Sequence, residues 1–403
     1  MLQRGDRQVD NQTVTAGVYT FAHSYKKIEH REDGTPYTTS YQDLNLMVVL
    51  PNGEVSHQTV KGVKLKAVDN MVRGLRSVIT RQSRVDSSQY ESPSQELHKL
   101  FIEPILADLE SAGVNNLTFS TDLNLQTISP AVLQNEAGEF LIEKFSVSVA
   151  PSLQTIEVDD YVSLKNADVL KMGATEFPDQ SALPGVLGEL AMVAEVQKEI
   201  NPGENQLVYL NEQFTIENLE QKIEETGAPI VHLGTHGESF GPDTSYLVLG
   251  SEGQTTSPHL TAEAITQIEG LSEVELLNVG ACKGGFGYEE KPLGVTGAGL
   301  VAGASSVLGS LWYVSDAGTM ALMTELYQNL LEGGLPKTQA LQQAQIAMIQ
   351  KTRFAQDGRQ LHLLDSSIKD IPTQVTASLD LNNITNLNAP YFWSGFALNG
   401  NPW

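Results

Sequence analysis

PIVHLGTHG, residues 229–237, and LLNVGACKGG, residues 276–285, are built alike. Each begins with a short, nearly continuous apolar run, as expected of a parallel strand covered by helices on both faces. Each then ends in a reactive side chain followed by glycine, His236-Gly237 in the first and Cys282-Lys283-Gly284-Gly285 in the second. Active sites of open parallel sheets gather at the carboxyl ends of the strands, so both side chains are expected at one edge of one sheet. The glycines allow tight turns and close approach of a substrate backbone.

Outward from these strands the alternation continues. ADVLKMGA, QLVYL, YLVLG and SVLGSLWYV read as further strands. GVLGELAMVAEVQKEI, the segment after Thr215, 316–331 and 336–353 read as helices, with Thr215 as an N-cap. This rhythm predicts an α/β fold with a mostly parallel sheet and helices on both faces. YFWSGFALNG reads as a last strand, and 355–389, polar and without period, as a long loop. Nearer the start, GVYTFAHSY and LNLMVVLP read as strands joined through the polar turn HREDGTPY. A helix over 63–79, a polar linker over 80–95 and a helix over 95–112 kinked at Pro104 follow. NLTFS and FLIEKFSVSVAP read as strands.

Chemically, a thiolate attacks a carbonyl, an imidazole handles the proton and backbone N–H groups hold the oxyanion. Cys282 and His236 fit the first two roles, and the N–H groups of Gly237 and Cys282 fit the third. Their separation, 282 − 236 = 46, agrees with the roughly 50 residues of caspase-type enzymes. The residues alone leave a structural role for both open, since a lone cysteine is commonly a small buried hydrophobe. His232 lies on the same strand about 13 Å from its end and is expected to be a hydrogen-bonded core histidine.

The totals narrow the classes. A length of 403 residues suits two domains or one large sheet with additions. Lys+Arg number 25 against 49 Asp+Glu, and the net charge of −24 argues against nucleic-acid and anionic-membrane partners while attracting basic segments. A single cysteine excludes an internal disulfide and a cysteine-rich zinc site. The other histidines lack ligand-like spacing, and Asp159-Asp160 reads as a solvated turn, so neither metal nor cofactor is expected. No apolar run approaches the ~20 residues of a membrane span, and the polar start predicts a cytoplasmic protein.

VHLGTHG, LLNVGACKGG, GVTGAGLVAGASSVLGSLWYVSD, MALMTELYQNLLEGG, ALQQAQIAM and PYFWSGFALNG resemble, in order, the successive motifs of the CHAT family. That family is caspase-like, similar to separase, and often accompanies tetratricopeptide repeats. ELHKLFIEPILADLE, FLIEKFSVSVAPSL, LPGVLGEL and LNEQFT extend the resemblance to about 46–403. It implies a caspase-like catalytic domain over 156–403, preceded by a smaller α+β pseudo-caspase-like region over 1–155. It also implies a His236–Cys282 dyad cleaving protein substrates, with a regulatory partner or repeat region. The sequence departs from the family at Gly280, where Ser is usual, and at Lys283, where an acid is frequent. Gly234 and Ala389 also stand where Ala and His are commoner. By the match to separase, Asp316 is expected in a pocket for a basic P1 side chain, with Asp243 as the fallback. Trp312 is expected either beside that pocket or in the core. Without the resemblance Asp316 reads as a helix N-cap. Cleavage after Arg or Lys fits the span from His236 to Asp316, which is rich in acids and lacks arginine. The competing readings are a catalytically silent scaffold acting by protein binding and a Cys-dependent acyltransferase.

Overall fold

The structure is a computed structural model that describes residues 13–81, 88–121, 125–153, 161–200, 207–238, 245–251, 253–280, 294–313, 315–350, 354–357, 360–363, 366–368 and 387–403. In its first part, β1 (Thr15–His30), β2 (Pro36–Val49) and β3 (Val55–Val60) form an antiparallel meander. Then come α1 (Leu65–Ile79), α2 (Ser88–Phe101), α3 (Glu103–Ser111), β4 (Asn116–Thr121), α4 (Leu141–Lys144) and β5 (Ser146–Val149).

The second part continues with β6 (Val169–Gly173), α5 (Pro184–Ile200), β7 (Val208–Leu210), α6 (Ile216–Thr226) and β8 (Ile230–Gly234). A small antiparallel sheet of β9 (Gly237–Glu238), β10 (Tyr246–Val248) and β11 (His259–Thr261) follows directly. Next are α7 (Ala262–Ile265), β12 (Leu276–Val279), α8 (Val295–Val301), β13 (Ser306–Ser310), α9 (Asp316–Tyr327) and α10 (Lys337–Gln350). Last come β14 (Phe354–Asp357), β15 (Gln360–Leu363), β16 (Ser366–Ile368), α11 (Pro390–Trp393) and β17 (Phe396–Gly400).

One eleven-stranded sheet runs through both parts in the order β3-β2-β1-β4-β5-β17-β13-β12-β8-β6-β7. Strands β7, β6, β8, β12 and β13 are mutually parallel, and β17 runs antiparallel to β13 and parallel to β5. The fold is thus α/β with a mostly parallel sheet, as the alternation predicts.

Side-chain alternation sorts the core into two layers. Val231, Leu233, Leu277 and Val279 meet Leu219 and Ile223 of α6 and the residues of α7 on one face. Ile230 and Leu276 face the other way, into the large cluster that includes α5, α9, α10 and the helices α1–α3.

Several sequence expectations are corrected. The 80–95 linker is helical from Ser88, because Tyr90, Ser94 and Leu97 recur on one side. The kink expected at Pro104 is a complete break at Ile102, with the proline inside the first turn of α3, where its missing N–H is no loss. FLIEKFSVSVAP opens with the helical turn α4, and PYFWSGFALNG with α11. The expected loop over 355–389 contains the small sheet β14-β15-β16, and 369–386 lies outside the described residues.

Two glycines measure how tightly the parallel part of the sheet is packed. Gly173 and Gly234 are register partners, and a Cβ on Gly173 would overlap the carbonyl oxygen of Gly234. Gly74, in the exposed part of α1, has open space where a Cβ would stand. Gly173→Ala should therefore lower unfolding free energy by about 1–3 kcal/mol. Gly74→Ala should raise it by about 0.5–1 kcal/mol through helix propensity. Urea denaturation of the two variants checks both signs.

Candidate active site

β8 delivers His236 to the sheet edge through a turn fixed on both sides. Thr235 Oγ1 donates to the Val248 carbonyl at 2.5 Å, and Val248 N–H donates to the His236 carbonyl at 2.9 Å. Gly237, buried, starts β9 immediately after.

The imidazole itself is held by the loop between β6 and α5. His236 Nε2 lies 2.7 Å from the Ser181 carbonyl oxygen, and the Phe177 ring packs against it with centroids 4.7 Å apart. A carbonyl can only accept, so Nε2 carries the proton and Nδ1 is the basic atom of the neutral ring. The loop is pinned at several points. Ala174 N–H donates to Gly234 O, and Thr175 N–H and Oγ1 donate to Asn211 Oδ1 at 2.8 and 3.1 Å. Asp179 Oδ1 accepts from Ser257 Oγ at 2.7 Å and from its N–H at 3.2 Å. These hydrogen bonds hold its carboxyl below the usual range.

β12 reaches the same edge beside β8. Its register pairs Leu276 with Ile230 and Val279 with Leu233, and Gly280 N–H continues the ladder to Leu233 O at 2.8 Å. Cys282, Lys283 and Asp243 lie outside the described residues, so of the sequence-derived site the structure places His236, Gly237, Asp316 and Trp312.

His232 is a core histidine as expected. It is fully buried, with Nδ1 2.9 Å from Tyr327 Oη and 3.2 Å from Asn278 Nδ2. Asp316 is not the cap of α9. Ser315 takes that place, its hydroxyl accepting from Gly318 N–H at 3.2 Å, and Asp316 is the first helical residue. Burial raises the Asp316 carboxyl above its ordinary range, and the charge of Glu189 adds to the rise. Trp312 packs in the core at 4% exposure, donating Nε1–H to Tyr391 O and lying under the Arg76 guanidinium. That placement favours the packing role over the pocket.

Three contributors were not singled out in the sequence: the Ser181 carbonyl, Phe177 and Glu189. A backbone carbonyl leaves no trace in residue identity. Glu189 did leave one, as the only charged residue within the apolar run PGVLGELAMVA. Among the described residues no group of His, Cys, Asp and Glu is placed to hold a metal ion, and no helix is long and apolar enough to cross a membrane.

A family model, the CHAT domain, matches residues 91–401. No curated protein matches the chain. Among solved structures, the Arg-specific cysteine proteinase gingipain R is similar at 12% identity and TM-score 0.45, covering 84% of this chain and 75% of that one. A separase in complex with securin from Saccharomyces cerevisiae is similar at 10% identity and TM-score 0.46. It covers 96% of this chain, which spans 30% of the separase chain.

The raised Asp316 carboxyl has a sign that can be tested. An acid with a raised folded-state pKa supports the fold while protonated and weakens it as pH climbs through that pKa. Asp316→Asn should therefore raise the melting temperature at about pH 8, with a smaller gain at about pH 5. Thermal unfolding at the two pH values decides it, and a variant less stable at both would contradict the burial argument.

Proposed function

Since the chain belongs to the CHAT domain family, we propose that it is a cysteine endopeptidase. It cleaves protein substrates after Arg or Lys, in the cytoplasm and under regulatory control. The observation that carries this reading is the fixed tautomer of His236, whose Nε2–H is tied to Ser181 O at the edge where β12 runs toward Cys282. Cys282 follows Gly280 by two residues in the sequence.

In the proposed reaction the Cys282 thiol gives its proton to His236 Nδ1, the resulting thiolate attacks the scissile carbonyl carbon and the carbonyl electrons move to oxygen. The N–H groups of Gly237 and Cys282 stabilise that oxyanion. Collapse breaks the C–N bond, and a proton from His236 Nδ1 goes to the leaving amine. Water then gives a proton to the same nitrogen as its oxygen adds to the thioester carbon, the C–S bond breaks to release the carboxylic acid, and the leaving thiolate takes the proton back. Anchoring Nε2 to the Ser181 carbonyl leaves Nδ1 as the nitrogen that exchanges the proton in this scheme.

Basic specificity follows from charge. The net charge of −24 attracts basic substrate segments, and Asp316 is the acid proposed for the P1 side chain. Protein substrates, a regulatory protein partner and an associated tetratricopeptide-repeat region are the partners this reading proposes. Nucleic acid and membrane are excluded from it on charge and hydropathy.

An activity-based probe with arginine at P1 should label the wild type at one site per chain, since Cys282 is the sole cysteine. Cys282→Ala should not be labelled, and His236→Gln should lose about 10²–10⁴-fold in turnover with an unchanged melting temperature. Labelling of unfolded protein only, with no turnover of Arg, Lys or Asp substrates, would favour the scaffold reading. Cleavage after Asp with Arg ignored would overturn the specificity.

A further inference from the structure

Glu189 is the acid that the reaction described above does not use. It sits in the middle of α5 at 3% exposure, with its carboxylate turned toward the end of β12. A Cβ on Gly280 would stand 3.0 Å from Oε1 and 3.4 Å from Oε2. The space beside the residue two before Cys282 is thus filled by this carboxylate.

Asp316 comes to the same face of α5. Its carboxyl packs so closely on Gly185 that a Cβ there would overlap it. Gly185 and Glu189 are four residues apart on one helix and so share a face, which sets the two acids side by side. Glu189 is also among the charges that raise Asp316.

Neither acid forms an ion pair with a lysine or arginine among the described residues. Glu189 does have a neighbour, His232 Nε2, 3.1 Å from Oε1. The approach is off the axis of a hydrogen bond, and both atoms remain buried without an aligned partner. Two adjacent carboxylates, one of them buried with unfilled acceptor capacity, therefore lack a cation with donors in more than one direction.

A planar guanidinium has five N–H donors in a fork and can bridge two carboxylates. An ammonium is a compact, strongly hydrated point charge with three donors but no planar fork that matches two carboxylates at once. The geometry points to Glu189 as the residue that makes the P1 site select arginine over lysine, while Asp316 recognises positive charge of either kind. This rests on the basic-P1 reading of the preceding section.

Binding can be measured without cleavage in Cys282→Ala protein, by calorimetry with matched peptides carrying Arg, Lys or norleucine at P1. The Arg peptide should bind about tenfold or more tightly than the Lys peptide, and both more tightly than norleucine. Glu189→Gln should bring Arg and Lys to within about twofold of each other by weakening Arg alone, and Asp316→Asn should weaken both. Glu189→Asp, which keeps the charge but withdraws it by one methylene, should fall between. An Arg preference that survives Glu189→Gln, or a Glu189→Gln loss shared equally by all three peptides, would overturn the role of Glu189 and leave basic P1 recognition standing. Equal binding of all three peptides by the parent would instead remove basic recognition, and this role with it.

Discussion

The constraint on which the site depends is the parallel register of β8 and β12. Leu276 lies opposite Ile230, and Gly280 N–H closes on Leu233 O at the rim. A slip of one residue would turn every side chain of β12 to the opposite face. Asn278 would leave His232 and Tyr327 for the apolar layer under α6 and α7, and the Gly280 rim would no longer sit against Glu189. The position of Gly280 at the rim is thus decided by packing several residues below it.

Buried polar groups reinforce that register. Lys171, His232 and Asn278 stand opposite one another on β6, β8 and β12, all fully buried. The Lys171 ammonium donates to Val169 O at 2.9 Å and Gln197 Oε1 at 2.5 Å, and burial lowers its pKa to about 8. Gln197 in turn donates to Asp168, so α5 is tied to β6 by hydrogen bonds as well as by its apolar side. Apolar contacts tolerate small displacements, whereas a buried hydrogen-bonded group loses its full desolvation cost when its partner moves. The face of α5 that carries Glu189 is held in one place for that reason.

What could be read in the sequence was whatever a single segment specifies. Continuous apolar runs with glycine ends located β8 and β12, and the end of β8 brought His236 to the sheet edge. Alternation gave the parallel half and Thr215 its capped helix. The errors came where a local signal was outweighed by distant packing. Ser88 to Gln95 looks like a linker until Tyr90 and Ser94 find Phe140 and Val132, and Asp316 looks like a cap until Ser315 supplies the hydroxyl. The anchor of His236 was beyond reach, because it is a carbonyl that any residue at position 181 would bear.

β17 joins the two parts of the sheet, pairing with β13 on one side and β5 on the other. It is also the last strand in chain order. During synthesis the strand between β5 and β13 therefore emerges after every other described strand of the sheet. Until then β5 and β13 both present open edges with nothing between them. β13 leads through Ser315 to Asp316, so the support for that side of the site arrives late in translation. The middle of the sheet is thus supplied from the far end of the described chain, and the two parts share one strand that belongs in sequence to neither neighbour.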